Sequence, residues 1–151
     1  DLEHLLNDLG LEVFAHNVEC VPRLDKTVRD HRASFSQSIS ILEEAKRLRP
    51  DILTKSSIMV GLGETDEEIN EVLVMLRQAG VDLVTIGQYL APSSRHLPVD
   101  RFPEPSQYDK WSEMCEELGF LGNACGPLVR SSYRAGELLA KASASIRTDK
   151  E

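Results

Sequence analysis

Thr54–Thr65, TKSSIMVGLGET, is a run of β-formers that breaks at Gly61 and Gly63 and closes on Glu64 and Thr65. It reads as a buried strand running into a glycine turn and then a helix N-terminus. Gly61 and Gly63 let backbone approach a bound group closely, and the helix start that follows offers free N–H groups. The same strand–turn–helix joint also occurs in α/β proteins that bind nothing there, so the string alone admits a ligand turn or a purely structural one. Thr65 followed by Glu68 is a capping box, and Asp66 and Glu67 add carboxylates at the positive end of the helix. The three carboxylates are therefore assigned to helix electrostatics rather than to catalysis.

Working outward, Ile69, Val72, Leu73 and Leu76 carry that helix to Gly80, and Val81–Ile86 is a second strand ending in Gly87-Gln88-Tyr89. Upstream, Phe35, Ile39, Leu42 and Ala45 share one face of a helix over Phe35–Leu48 that Pro50 stops. Leu2–Leu9 has helical spacing closed by Gly10, and Leu11–Ala15 is a strand. His16-Asn17-Val18-Glu19 follows where that strand ends, and a loop continues through Pro22 to about Ala33 with Arg23, Arg29 and Arg32. Polar side chains just past a strand's C-terminal end are where parallel α/β proteins hold ligands, although a solvated turn has the same composition. Ala91–Pro105 is a long loop holding Arg95, His96 and Arg101, of the kind that is functional or mobile. Ser106 or Asp109 is expected to cap a helix through Leu118, Phe120–Cys125 is a short strand, and helix resumes from Tyr133. Residues 140–151 thin to small and charged residues and read as a frayed tail.

Helices thus alternate with strands that are nearly continuous apolar runs, the pattern of a parallel α/β sheet. Four strands are too few to close an eight-stranded barrel. The expectation is an open sheet, or part of a barrel whose remainder lies outside these 151 residues. The chain opens DLEHLLNDLG, without a methionine or a signal-peptide pattern, and reads as one entered in the middle.

A net charge of -8 argues against a general nucleic-acid binder. No apolar run approaches the roughly 20 residues of a membrane-spanning helix. Cys20, Cys115 and Cys125 show no Cys-x-x-Cys pairing and leave one over if two were bridged, which suits a soluble protein of a reducing compartment.

Taken together, HNVEC (His16–Cys20), VPRL (Val21–Leu24), VRD (Val28–Asp30), TKSSIMVGLGETDEE (Thr54–Glu68), GQYLAPSSRHLPV (Gly87–Val99) and GPLVRSSYRAG (Gly126–Gly136) resemble the C-terminal half of lipoyl synthase. The resemblance runs from about Val13 to Leu139, and RSSY is the family's own hallmark. It implies the later half of a radical S-adenosylmethionine (β/α) partial TIM barrel with a C-terminal helix, over residues 1–139. It also implies the family's reaction, the insertion of two sulfur atoms at C6 and C8 of an octanoyl chain carried on a lysine. One 4Fe–4S cluster cleaves S-adenosylmethionine to a hydrogen-abstracting radical, and a second, auxiliary 4Fe–4S cluster gives up the sulfur. The implied partners are octanoylated lipoyl-accepting domains, namely 2-oxoacid dehydrogenase E2 subunits and the glycine cleavage H protein, and an electron donor such as ferredoxin or flavodoxin. A bacterial cytoplasm, a mitochondrial matrix or a plastid would each suit.

Carried over residue by residue, Asn17 and Glu19 are similar to the polar pair that meets the ribose and amino-acid part of S-adenosylmethionine, and Arg29 to the arginine that meets its carboxylate. Met59, Gly61 and Glu64 fall where such enzymes place an adenine-supporting strand. Gln88, Tyr89 and Leu90 match a strand end lining the same cavity. Ser131, with Ser132 as second choice, resembles the family's serine ligand to an iron of the auxiliary cluster, and Arg130 would support that loop. A hydroxyl is a weak ligand beside thiolates, which fits a cluster meant to be dismantled.

The chain departs from the pattern in lacking both cysteine triplets that hold the clusters. Cys20 stands where the family commonly has threonine and Cys125 where serine precedes the Gly-Pro turn; each is expected to be a small buried residue rather than a ligand. Without those triplets the 151 residues are expected to be inactive alone. The competing expectations are a non-catalytic remnant that binds S-adenosylmethionine or a lipoyl-accepting domain, and an unrelated small nucleotide-binding domain using GLGET. Lys55 and Arg95 are assigned to neither substrate nor solvent.

Overall fold

The computed structural model describes residues 2–6, 13–28 and 34–130. Strands β1 (Val13–Ala15), β2 (Leu53–Val60), β3 (Leu83–Gln88) and β4 (Gly122–Gly126) form one parallel sheet whose order follows the chain, β1-β2-β3-β4. The expected parallel α/β architecture is present, and the sheet is open. Lys55 pairs with Ala15 on one side and Leu83 on the other, and Leu83 in turn pairs with Gly122.

Two short helices, α1 (Leu2–Leu6) and α2 (Asp25–Val28), precede the three that connect the strands: α3 (Phe35–Leu48), α4 (Asp66–Gln78) and α5 (Pro105–Leu118). The region from Pro22 to Val28, expected as loop, is a 3-10 turn over Pro22–Leu24 leading into α2. Pro22 supplies a pre-set φ at the first helical position and has no N–H to leave unpaired. The same effect moves the start of α5. Pro105 opens it without any side-chain cap from Glu104, so neither Ser106 nor Asp109 is the cap. Helix α4 starts as expected, with reciprocal bonds between Thr65 and Glu68. Ser34 and Gln37 form the equivalent box on α3. The last strand begins at Gly122 rather than Phe120, because Phe120 turns into the core beneath α5.

Alternation sorts the strand residues onto two faces. Ile58, Val60, Val84 and Ile86 pack against Leu42, Ile69, Leu73 and Trp111 of the helices, forming the main core. Trp111 meets Tyr108 edge to face with ring centroids 5.4 Å apart. On the opposite face, Leu83, Val13, Leu53, Leu121 and Ala124 close the N-terminal end of the sheet. The polar residues above them, toward the strands' C-terminal ends, are left to form a site. Lys46 Nζ reaches Asp82 Oδ2 at 2.6 Å and Ile52 O at 2.7 Å, tying α3 to the starts of β2 and β3. The described residues do not include 7–12, where the first expected helix ends and strand begins, or the expected helix from Tyr133 and tail over 140–151.

Candidate functional site

A cavity of about 340 Å³ opens at the C-terminal ends of the strands. Its first wall is HNVE. His16 N–H donates to Lys55 O at 2.9 Å, and Glu19 pairs with Ile58, its N–H giving to Ser57 O at 3.2 Å and its carbonyl accepting from Met59 N–H at 2.7 Å. Between the Ala15–Lys55 and Glu19–Ile58 pairs the first segment advances four residues and β2 only three. The extra residue is absorbed with Glu19 at φ 72°, the left-handed region that costs a non-glycine residue about 1 kcal/mol. In return, Val18 stays fully buried in the helix-facing core, its N–H bonded to Ser56 Oγ at 3.1 Å, while Asn17 and Glu19 both line the cavity. His16 Nε2 lies 3.1 Å from Ser38 Oγ of α3, so the turn is fastened to the helix layer, with His16, Asn17 and Glu19 partly exposed.

The floor is made by β2 and β3. Ser57 and Thr85 are register partners whose hydroxyls lie 2.5 Å apart, and Met59 pairs with Gly87 one step higher. A Cβ on Gly87 would overlap the carbonyl oxygen of Val129, so glycine there is what lets the segment after β4 close over the sheet. That segment brings Val129 and Arg130 to the cavity wall. Arg130 Nη1 donates to Val129 O at 2.9 Å, which stiffens the turn. Lys55 lies one step below Ser57 on the same face, 6% exposed, and burial pushes its ammonium below the usual lysine value.

Asn17, Glu19, Met59, Gln88, Leu90 and Arg130 therefore come together at one cavity. Tyr89 stands beside it, in an outer groove of about 580 Å³ that shares Met59 and Leu90 with the cavity and is otherwise walled by the loop after β3. Tyr89 Oη donates to Leu97 O of that loop at 2.8 Å. Gly61 and Glu64 are not on the cavity wall. The Glu64 carboxylate, 5% exposed, accepts from the N–H groups of Gly61 and Leu62, the latter at 3.3 Å. The space a Cβ on Gly61 would fill is taken by the Gln88 amide and the Arg101 carbonyl. The close approach at this glycine is thus chain to chain. The Gln88 side chain turns toward the helix layer, where Nε2 donates to Arg101 O and Tyr89 O, each at 3.0 Å, and Oε1 accepts from Tyr108 Oη at 3.4 Å. Burial pushes the Tyr108 phenol up to about 12. Arg29, Ser131 and Ser132 lie outside the described residues.

The sequence reading does not single out Thr85 or Val129. A signal for Thr85 exists, since Thr85 and Gly87 alternate along VTIGQ just as Ser57 and Met59 do along SSIMV. Val129 approaches across 42 residues from Gly87, and nothing local announces it.

The donor set suits a polar organic ligand of the size of S-adenosylmethionine. It offers an amide, a carboxylate and two hydroxyls around a space within the range of small-molecule sites. It does not suit an iron–sulfur cluster. Among the described residues no group of three or more His, Cys, Asp or Glu side chains could hold a metal. Cys20 and Cys115 are buried, and Cys125 packs half-buried against the helix-facing core, beside Cys115. Proximity to Cys125 and burial both push the Cys115 thiol up, away from the thiolate a metal would require.

No protein-family model matches the chain. Curated relatives do. It is 54% identical over 132 residues to "Lipoyl synthase, mitochondrial" of Xenopus laevis, covering 87% of this chain and 36% of that protein. The protein of the same name from Drosophila melanogaster is 56% identical over 128 residues, 85% of this chain and 34% of its own length. That from Aspergillus niger is 51% identical over 137 residues, 91% of this chain and 33% of its own. The match thus takes in nearly the whole chain while spanning about a third of each relative. With more than half of its aligned residues identical to these proteins, and an open parallel sheet that fits part of a β/α barrel, the chain belongs to the lipoyl synthase family.

Proposed function

We propose that this chain supplies the S-adenosylmethionine side of a lipoyl synthase, an enzyme that inserts sulfur at C6 and C8 of an octanoyl group on a lipoyl-accepting domain. The observation that carries the reading is the convergence of Asn17 and Glu19 on a single cavity at the strand ends, in a chain more than half identical to lipoyl synthases. When bound, S-adenosylmethionine and its partner cluster supply the hydrogen-abstracting radical, and a second 4Fe–4S cluster the sulfur.

The residues of this chain bind and orient. Glu19 presents its carboxylate, and Asn17 its amide, to the ribose hydroxyls and the ammonium of the amino-acid part. Arg29 takes the carboxylate. Met59 and Leu90 pack on the adenine side, next to the main chain that Gly61 and Glu64 hold in place. Gln88 and Tyr89 fix the end of β3 without needing to touch the ligand. Val129 covers the cavity and keeps water from it. Ser131, or else Ser132, is the serine ligand of the auxiliary cluster, steadied by Arg130. The three cysteines of these 151 residues, Cys20, Cys115 and Cys125, have neither triplet spacing of the two clusters, and on this proposal the chain alone is inactive. The partners proposed for the complete protein are octanoylated E2 and H-protein domains and a ferredoxin- or flavodoxin-type reductant. Of the compartments that suit the reaction, the mitochondrion is the one favoured, since the names of the relatives carry the word mitochondrial.

The test is anaerobic reconstitution of the full-length gene product, followed by iron and sulfide assay, S-adenosylmethionine binding, and mass analysis of an octanoylated H protein. The expected result is about eight irons, binding that falls at least tenfold in Asn17→Ala and Glu19→Gln, and a mass gain of two sulfurs on the carrier. A full complement of iron with no S-adenosylmethionine-dependent product would overturn it in favour of a non-catalytic binding protein.

A further inference from the structure

The loop from Leu90 to Glu104 does not hang free of the site, although much of it is exposed. It leaves β3, walls the outer groove with Pro92, Leu97 and Pro98, and returns across the end of β2. Its return is fastened at adjacent residues. Asp100 N–H donates to Gly61 O at 2.8 Å, and Arg101 O accepts from the Gln88 amide at 3.0 Å. The Arg101 guanidinium then lies between Glu64 of the GLGET turn and Asp66 at the start of α4, Nη1 2.9 Å from Asp66 Oδ1 and Nε 3.8 Å from Glu64 Oε2. Its Nε and Nη2 make no hydrogen bond, so the attachment is ionic. Glu64 is the residue whose carboxylate gathers the Gly61 and Leu62 N–H groups. One arginine thus reaches both the loop that walls the groove and the turn that ends the cavity strand. The prolines at 92, 98 and 103 limit the other shapes this loop can take, and Pro105 opens the helix that follows it.

We propose that Arg101 is a positioning residue: its clasp on Glu64 and Asp66 holds the 90–104 strap against the end of β2, and so holds Leu90 and Met59 as the shared wall between the cavity and the outer groove. The inference rests on the reading of the cavity as the S-adenosylmethionine site. Arg101 touches no ligand. Its release lets the strap swing away and opens the cavity on the Leu90 side.

The experiment uses the full-length, cluster-loaded protein as wild type, Arg101→Ala and Arg101→Lys, with Arg47→Ala on the outer surface of α3 as control. It reads hydrogen exchange of peptides covering 90–100, the S-adenosylmethionine Kd, the separate KM and kcat, and Tm. Arg101→Ala is expected to speed exchange in the strap and to raise Kd and KM about fivefold to tenfold, with kcat changed less than twofold. Lysine keeps one of the two ion pairs and is expected to bring Kd back to within about threefold of wild type. Unchanged strap exchange and unchanged Kd in Arg101→Ala would overturn the clasp, as would a Kd loss that lysine does not relieve. If Arg101→Ala does not fold, Asp66→Asn removes the more exposed leg, and the same two readouts decide. If the wild type binds no S-adenosylmethionine, the functional reading fails. Strap exchange then still reports on the clasp by itself.

Discussion

On the helix-facing side of β2, each polar group has a partner inside the protein: Thr54 Oγ1 donates to Gly80 O at 3.0 Å, and Ser56 Oγ accepts from Val18 N–H. Above them Ile58 and Val60 sink into the core. On the other side of the same strand, Ser57 and Met59 sit beneath a cavity. The helix-facing residues are at 1% exposure or less, whereas on the other face Lys55 and Ser57 are at 6% and 7% and Met59 is half-buried, so the two faces differ only modestly in burial. The difference is in what covers them. Helix side chains bring apolar atoms to one face, whereas the other is covered by main chain and polar side chains from HNVE and from the segment after β4. One strand therefore does two jobs with alternate residues, and substitutions on the two faces should part stability from ligand binding.

The largest effect on stability is expected at Ile86→Ala, on the same helix-facing side one strand over, which opens a cavity in the main core. It should cost about 2–5 kcal/mol in urea denaturation and leave the ligand affinity of the folded fraction unaltered. Equal losses of stability and affinity would erase the distinction between the faces. Gly87→Ala comes next. Its methyl has to displace Val129, at about 1–3 kcal/mol, and on this face affinity for S-adenosylmethionine should fall further than stability does. Glu19→Gly sharpens the comparison from the opposite direction. It removes the left-handed strain and should stabilise the fold by up to about 1 kcal/mol, while taking away the carboxylate and weakening S-adenosylmethionine at least tenfold.

The smallest effect lies outside both faces. Arg23 bonds the Glu68 carboxylate through Nε at 3.0 Å and Nη2 at 2.9 Å, and these bonds, followed by the Thr65 N–H, hold that carboxyl below its usual value of 4.5. A lowered carboxyl contributes stability above its unfolded value and loses it as pH falls through the folded one. Wild type should therefore exceed Arg23→Gln by a constant margin above about pH 5, and the margin should close below pH 4.5 in acid titrations of Tm.

What could be read from the sequence follows from how far apart the deciding residues are. Helix α3 runs over Phe35–Leu48, as its apolar spacing and Pro50 indicate, and the Thr65–Glu68 box is local. The parallel alternation follows from apolar runs between helices. Reading proline as loop concealed the helical turns from Pro22 to Val28 and the true start of α5, since proline opens a helix as readily as it ends one. At the site, HNVE was visible because polar residues directly follow a strand. The role of Gly61 was not, because the groups that crowd it come from Gln88 and Arg101, 27 and 40 residues away. Thr85 needed the register with Ser57, and Val129 needed the whole fold.

The strand order has a consequence for how the chain is made. Among the described strands, each after β1 pairs with the one before it, so those βα units emerging from a ribosome find their docking edge already synthesised, and none of β2, β3 and β4 has to wait for a later partner or be inserted between two others. Assembly of this part of the sheet can then proceed by accretion, with its growing edge passed from β2 to β3 to β4.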